Sequence, residues 1–258
     1  MPTDLAADAL GLVSGVLVGF SLGLVGGGGS VLSVPLMIYL VGVQNVHVAI
    51  GTTAFAVAVN AAATLLSHAR MGTVNWSCAG VFALAGMVGA YGGSSLSKIV
   101  DGHKLLVLFA VLMLVIAAVM FVRRSAEGDP DVKLTRHNLP KLLGTGFLTG
   151  ALSGFFGIGG GFLIVPGLMF ATGMLIINAV GSSLVAVTAF GATAAFNYAR
   201  SDLVDWRLAA VFILGGVFGG LAGGQAAKAL GARRGALNIV FAGIIVVVAI
   251  YMLARSLL

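Results

Sequence analysis

Two glycine-rich stretches, Gly23–Pro35 and Gly154–Pro166, hold the residues of this chain whose types and spacing suit ligand chemistry. The first reads Gly-Leu-Val-Gly-Gly-Gly-Gly-Ser-Val-Leu-Ser-Val-Pro and the second Gly-Phe-Phe-Gly-Ile-Gly-Gly-Gly-Phe-Leu-Ile-Val-Pro. In a helix interior glycine costs about 1 kcal/mol relative to alanine, and proline about 3. Four consecutive glycines therefore break a helix. Unwound backbone frees N–H groups, and a helix resuming after the break turns the positive end of its dipole toward them, an arrangement that binds anions. The candidate binding residues are Gly26, Gly27, Gly28, Gly29 and Ser30 in the first stretch, and Gly157, Gly159, Gly160 and Gly161 in the second. Glycines that merely allow close packing are spaced along one helix face, whereas Gly26–Gly29 are contiguous and cover every face. A nucleotide-binding loop is excluded, because no Gly-Lys-Ser/Thr follows and no strand–helix alternation surrounds either stretch. Pro35 and Pro166 mark where a helix can resume, proline being tolerated in a first turn, and the sequence leaves the end of the first unwound region open between Ser30 and Val34.

Other polar side chains stand near these stretches. Thr52 and Thr53 follow the first and Ser182 and Ser183 the second, each pair near the start of the next apolar run. Their hydroxyls either cap that helix or contact a polar ligand. Arg70 and Arg200 end equivalent runs and precede Trp76 and Trp206, the pattern of interfacial anchors; attraction of an anion to the mouths of a path is the second reading. Asn60, Asn197 and Gln225 are amides within apolar runs, read first as glue between helices. All eight acidic residues lie outside the apolar runs. A mid-membrane carboxylate relay of the kind cation-coupled carriers use is absent, which suits an anionic cargo. His47 and His68 remain as titrating groups for a coupling ion such as H+. Ser182 and Ser183 have no histidine in an apolar run to activate them, and no metal-binding or cofactor-binding pattern occurs, so an enzyme is not expected.

The elements that must position these residues are membrane helices. Of the 258 residues 59% are apolar and 9% charged, and the mean hydropathy is +1.11. That balance leaves too little polar surface for a soluble domain, and the apolar runs are too long and too unbroken for a β-barrel. The formal charge of +6 comes from residues between apolar runs, so it reads as membrane topology and not as nucleic-acid binding. The single cysteine, Cys78, permits no internal disulfide. Asp4 and Asp8 precede the first run with no Lys or Arg, so a cleavable signal peptide is not expected.

The runs cover about 10–25, a short 31–43, then 47–66, 78–96 and 105–122. The first carries Gly11, Gly15, Gly19 and Gly23 on one helix face, a close-packing pattern. A basic hydrophilic linker, 123–141, follows, and then the pattern repeats. At an offset of 131, Gly15, Gly19, Gly23, Gly26, Gly28, Gly29 and Pro35 match Gly146, Gly150, Gly154, Gly157, Gly159, Gly160 and Pro166. At an offset of 130, Gly51, Arg70, Trp76, Phe82, Gly86, Gly89, Gly93 and Lys98 match Gly181, Arg200, Trp206, Phe212, Gly216, Gly219, Gly223 and Lys228. Asn60 breaks the match, since its counterpart is Phe190. The chain is thus an internal duplication: repeat 1–122, linker 123–141, repeat 142–258.

The expected fold is an all-α polytopic membrane protein of two homologous repeats, each a glycine-broken first helix followed by three full membrane helices. The repeats are either inverted, if the broken run leaves on its own side, or parallel, if it crosses. Basic residues do not decide, because both arrangements leave nine on the linker side and five opposite. Inverted halves build alternating access readily and are the expectation. They place both termini outside when the linker is inside.

These motifs, Gly154–Pro166 with its sister stretch, Gly51-Thr52-Thr53 with Gly181-Ser182-Ser183, and Arg70–Trp76 with Arg200–Trp206, resemble the TauE/SafE sulfite exporters, also called the toluenesulfonate uptake permease family. The resemblance spans about 10–254 and implies a carrier of sulfite, organosulfonates or related small organic acids. The expected function is a secondary transporter in the bacterial inner membrane, with a passive anion channel as the alternative. Its partners are a small anion and the lipid bilayer. The site is expected midway between the two glycine breaks, mostly backbone, with pseudo-two-fold symmetry. Valine at Gly28 or Gly159 is expected to abolish transport, and valine at Gly11 to lower stability.

Overall fold

The computed structural model describes residues 2–25, 30–122, 129, 132–157, 161–229, 243 and 246–255. Among these the chain is helical, with one isolated bridge between Asp129 and Met174 in place of a sheet. The ten helices are α1 (Pro2–Val25), α2 (Ser30–Leu40), α3 (Val46–Arg70), α4 (Trp76–Ser97), α5 (Gly102–Val122), α6 (Leu139–Phe156), α7 (Gly161–Thr172), α8 (Ile176–Ala199), α9 (Trp206–Ala229) and α10 (Val246–Arg255). Five of them (α1, α3, α4, α8 and α9) are long and apolar enough to cross a membrane. Several starts are set by short polar side chains. Asn45 accepts the N–H groups of His47 and Val48, Asn75 that of Cys78, Asp101 those of His103 and Lys104, and Asp205 that of Leu208. Each such cap stabilises its helix by about 0.5–2 kcal/mol.

Helix directions follow from ordered contacts. Gly15, Gly19 and Gly23 of α1 meet Phe212, Gly216 and Gly220 of α9 in that order, so these helices run parallel. Gly146, Gly150 and Gly154 of α6 meet Phe82, Gly86 and Ala90 of α4 in the same way, each pair the repeat counterpart of the one before. The backbones touch directly: a methyl group on Gly150 would sit 2.6 Å from the Gly86 carbonyl carbon. Close approach of this kind lets helices gain dispersion energy where lipid offers no hydrophobic drive. Helices α3 and α8 oppose each other, Gly51 facing Tyr198 and Gly181 facing Thr73, with Gly191 against Ala54 and Ala58 between. Helix α3 runs with α9 (Thr52 to Asp205, Asn60 to Gly216) and α8 with α4 (Ser182 to Asn75, Tyr198 to Ser97). Helices α1, α3 and α9 thus point one way and α4, α6 and α8 the other.

This geometry bears on the return run and on the prolines. Because α1 and α3 point the same way, the chain between them has to travel back, and the same holds for α7 between α6 and α8. In each half a long helix is therefore followed by a short one that runs back. The return arm α7 has 12 residues, about 18 Å of helix against a hydrocarbon core of roughly 30 Å. Ser30 and Gly161 are already helical, five residues before Pro35 and Pro166, and Pro166 lies inside α7.

Candidate functional site

The antiparallel pair α3–α8 is the axis about which the candidate residues are distributed. Helix α6 ends at Gly157, whose φ of +66° is a left-handed conformation suited to glycine. A methyl group there would fall on the Ile50 side chain, near the start of α3. The second glycine stretch and the Thr52–Thr53 pair, from opposite halves, therefore share one end of the bundle. Helices α1 and α6 point opposite ways, so the two glycine stretches are reached from opposite ends. Gly26–Gly29, Gly159 and Gly160 lie outside the described residues. Gly161 opens α7, and Ser30 is buried, its carbonyl accepting from Ser33 Oγ at 2.7 Å.

The hydroxyl pairs do something the sequence did not suggest. Thr52 Oγ1 accepts the backbone N–H of Asp205 at 2.9 Å, and its counterpart Ser182 Oγ accepts that of Asn75, also at 2.9 Å. Each hydroxyl thus holds the residue that starts α9 or α4, across the boundary between the halves. Thr53 and Ser183 bond within their own helices, to Ala49 O and Val180 O, both at 2.7 Å. We expect Thr52→Val and Ser182→Ala to lower stability by about 1 kcal/mol each. The two sites lie at opposite ends, so the double variant should lose the sum, as thermal melts in detergent would read.

The arginines are exposed and stand at opposite ends, Arg70 closing α3 and Arg200 following α8, where its guanidinium lies 5.9 Å from the Phe196 ring centre. Trp76 and Trp206 are more than half exposed at the starts of α4 and α9, as anchors would be. Near the start of α3 an open cleft of about 810 Å³ is lined by polar groups including Asn45, His47, Lys98, Asp101 and His103. Lys98 Nζ also donates to Asn197 Oδ1 at 2.9 Å and to Ser201 Oγ at 3.0 Å.

The amides separate into two kinds. Asn197 serves as glue, its Nδ2 donating to Ser94 Oγ at 2.7 Å and Ser95 Oγ at 2.8 Å. Asn60 is 3% exposed, and neither atom of its amide has a hydrogen-bond partner among the described residues. Gln225 is exposed. The asymmetry between Asn60 and Phe190 is the signal in the sequence that pointed here. No group of three or more potential metal ligands occurs among the described residues.

Comparison with known proteins agrees with the motifs. The family model described as sulfite exporter TauE/SafE matches residues 11–252. A protein of Xylella fastidiosa named "Probable membrane transporter protein" is 52% identical over 244 residues, 94% of either chain. A similarly named protein of Bacillus subtilis is 25% identical over 235 residues, 82% of this chain and 85% of the relative. One from Methanocaldococcus jannaschii is 30% identical over 165 residues, 60% of this chain and 61% of its own. No solved structure matches.

Proposed function

Because the chain belongs to the TauE/SafE sulfite exporter family, we propose that it is a non-enzymatic secondary transporter of a small anion such as sulfite, an organosulfonate or a related organic acid, in the bacterial inner membrane. The observation that carries the charge of the cargo is where the carboxylates stand. Asp8 lies near the start of α1 and pairs with Arg207 at 2.6 Å, Asp101 and Asp205 cap helices, and Asp202 sits in a turn. Among the described residues none stands mid-helix, where a cation carrier would keep a counter-charge. Neutral donors then bind the anion without a buried cation, which would be costly whenever the site was empty.

In this reading the anion meets two donor groups in turn. At one mouth the proposed donors are the N–H groups of Gly159, Gly160 and Gly161 with the hydroxyls of Thr52 and Thr53, the N–H of Gly157 being taken by Ser153 O at 2.9 Å. At the other are those of Gly26, Gly27, Gly28, Gly29 and Ser30 beside Ser182 and Ser183. The contact of Gly157 with Ile50 supports the first grouping, and the repeat supports the second. Arg70 and Arg200 draw the anion toward the two ends. The coupling ion is a proton, with His47 and His68 near opposite ends of α3 as the titrating side chains.

The halves in this reading are inverted in the membrane. Equivalent helices α3 and α8 run antiparallel, which supports inversion, whereas parallel repeats would align them. The basic residues then place the linker inside and both termini outside. A C-terminal reporter active only in the cytoplasm should stay silent on this protein, and activity would refute the arrangement.

The function is tested with purified protein in liposomes. Sulfite, isethionate or acetate should accumulate with saturable kinetics under a pH gradient, and a protonophore should collapse that accumulation. Equilibration without accumulation would make the protein a passive channel. Movement confined to cations or neutral solutes would overturn the anionic cargo.

A further inference from the structure

Asn60 lies deep in α3, ten residues beyond Ile50, which marks the Gly157 mouth; that is about 15 Å of helix rise. Its side chain points into a niche floored by the backbone of α9, where a methyl group on Gly216 would overlap the amide nitrogen. Gly216 is also where α9 touches Gly19 of α1, so three helices meet around the amide. The duplication supplies a control. In the other half the same niche is floored by Gly86 and filled by the Phe190 ring, which stacks on Phe82 with centroids 6.1 Å apart. One niche is thus sealed by an aromatic ring. The other holds a donor and an acceptor that nothing among the described residues satisfies. Folded proteins seldom keep a buried amide in that state, and the well-partnered Asn197 shows what amide glue looks like in this bundle.

We infer that Asn60 is the mid-bundle recognition residue for the transported oxyanion, its Nδ2 group donating hydrogen bonds to the anion's oxygens between the two mouths. This rests on the anion-carrier reading above and names the group that reads the cargo. The chemistry favours an oxyanion over a cation, since no carboxylate accompanies Asn60. Sulfite and alkanesulfonates fit best, because their three oxygens present an acceptor to the amide in any rotation about the sulfur axis. The anion also supplies the acceptor that the amide nitrogen lacks within the protein.

The test uses the full chain in detergent and in liposomes, with sodium sulfite, sodium isethionate and sodium acetate as probes against sodium chloride at equal ionic strength. The wild type should gain thermal stability with a sulfur oxyanion and take it up. Asn60→Leu, an apolar near-isostere, should be at least as thermostable as the wild type without ligand. Its ligand-induced shift should vanish and its uptake should fall at least tenfold. Asn60→Ala, which adds no bulk, should behave alike and decides the matter if the leucine variant misfolds. Wild-type uptake and shift in either folded variant would overturn the inference. So would loss of uptake only in proportion to loss of folded protein, the result expected of a packing residue. If no probe shifts or enters with the wild type, the anion-carrier reading itself fails and this inference with it.

Discussion

Gly150→Val is expected to leave no monodisperse folded protein. The Cβ alone would sit 2.5 Å from Gly86 Cα and 2.6 Å from its carbonyl carbon. Those are backbone atoms of a helix and cannot rotate away. Relief requires α4 and α6 to separate toward the 8–10 Å usual for helices with side chains at the contact. Separation would also lift Gly154 off Ala90 and Gly146 off Phe82, since all lie along one seam. The whole contact is lost, not one residue's share, and the cost should exceed the 4–5 kcal/mol that marks an exceptional substitution. Gly19→Val should do the same to α1 and α9, where Gly216 takes the part of Gly86. Gly92→Ala and Gly144→Ala face open space and should be neutral or stabilise by about 0.5–1 kcal/mol. Size-exclusion profiles and melting curves for the four variants check the argument, and a well-folded Gly150→Val would refute the seam.

Phe190→Ala is expected to be the most damaging truncation of a single side chain. The ring is wholly buried, rests on Gly86, stacks on Phe82 at 22° and sits where α8 meets α4. Glycine beneath it offers no side chain to relax into the space, so the cavity should persist. Phenylalanine-to-alanine changes in such settings cost about 3–5 kcal/mol. Phe190→Asn should cost more, because it adds an unpaired amide to the cavity. The counterpart change, Asn60→Leu, should cost nothing. That contrast between two positions related by the duplication, a large loss at one and none at the other, is the informative outcome, read as a difference in midpoint between melts. Equal losses at both positions would mean that both niches are simply packed.

How much of this was legible in the sequence differs from residue to residue. The duplication was, because the helix seams demand glycine at fixed spacing and little else fits. Gly15, Gly19 and Gly23 meet backbone as the spacing implied, but Gly11 meets only Leu208 and Val211 side chains at 3.7 Å. The small-residue face thus runs one turn further than the close contact, and valine at Gly11 should cost less than the spacing implied. Helix direction was not legible. Basic residues counted equally for both arrangements, and direction emerges only from which glycine meets which partner. Thr52 and Ser182 read either as caps for their own helices or as ligand contacts, and each also holds an N–H more than 100 residues away. No local pattern encodes such a pairing. The return arms were half legible. The glycines announced a break, but whether a chain kinks or doubles back is settled by packing on α4 and α8. Asn60 stood out as the place where the repeat fails to repeat, and only its surroundings separate it from Asn197.

The exchange of helices between the halves has a consequence for how the molecule is made. Gly19 emerges from the ribosome roughly 200 residues before Gly216, its partner on α9, a wait of about 10–40 s at 5–20 residues per second. Through that interval α1 sits in the bilayer with its glycine face against lipid, and neither half can close its own seam. Synthesis of the second half is therefore the step that consolidates the first. Two fragments cut in the linker and produced together should find each other for the same reason, while either fragment alone presents a bare seam to the membrane's quality-control proteases.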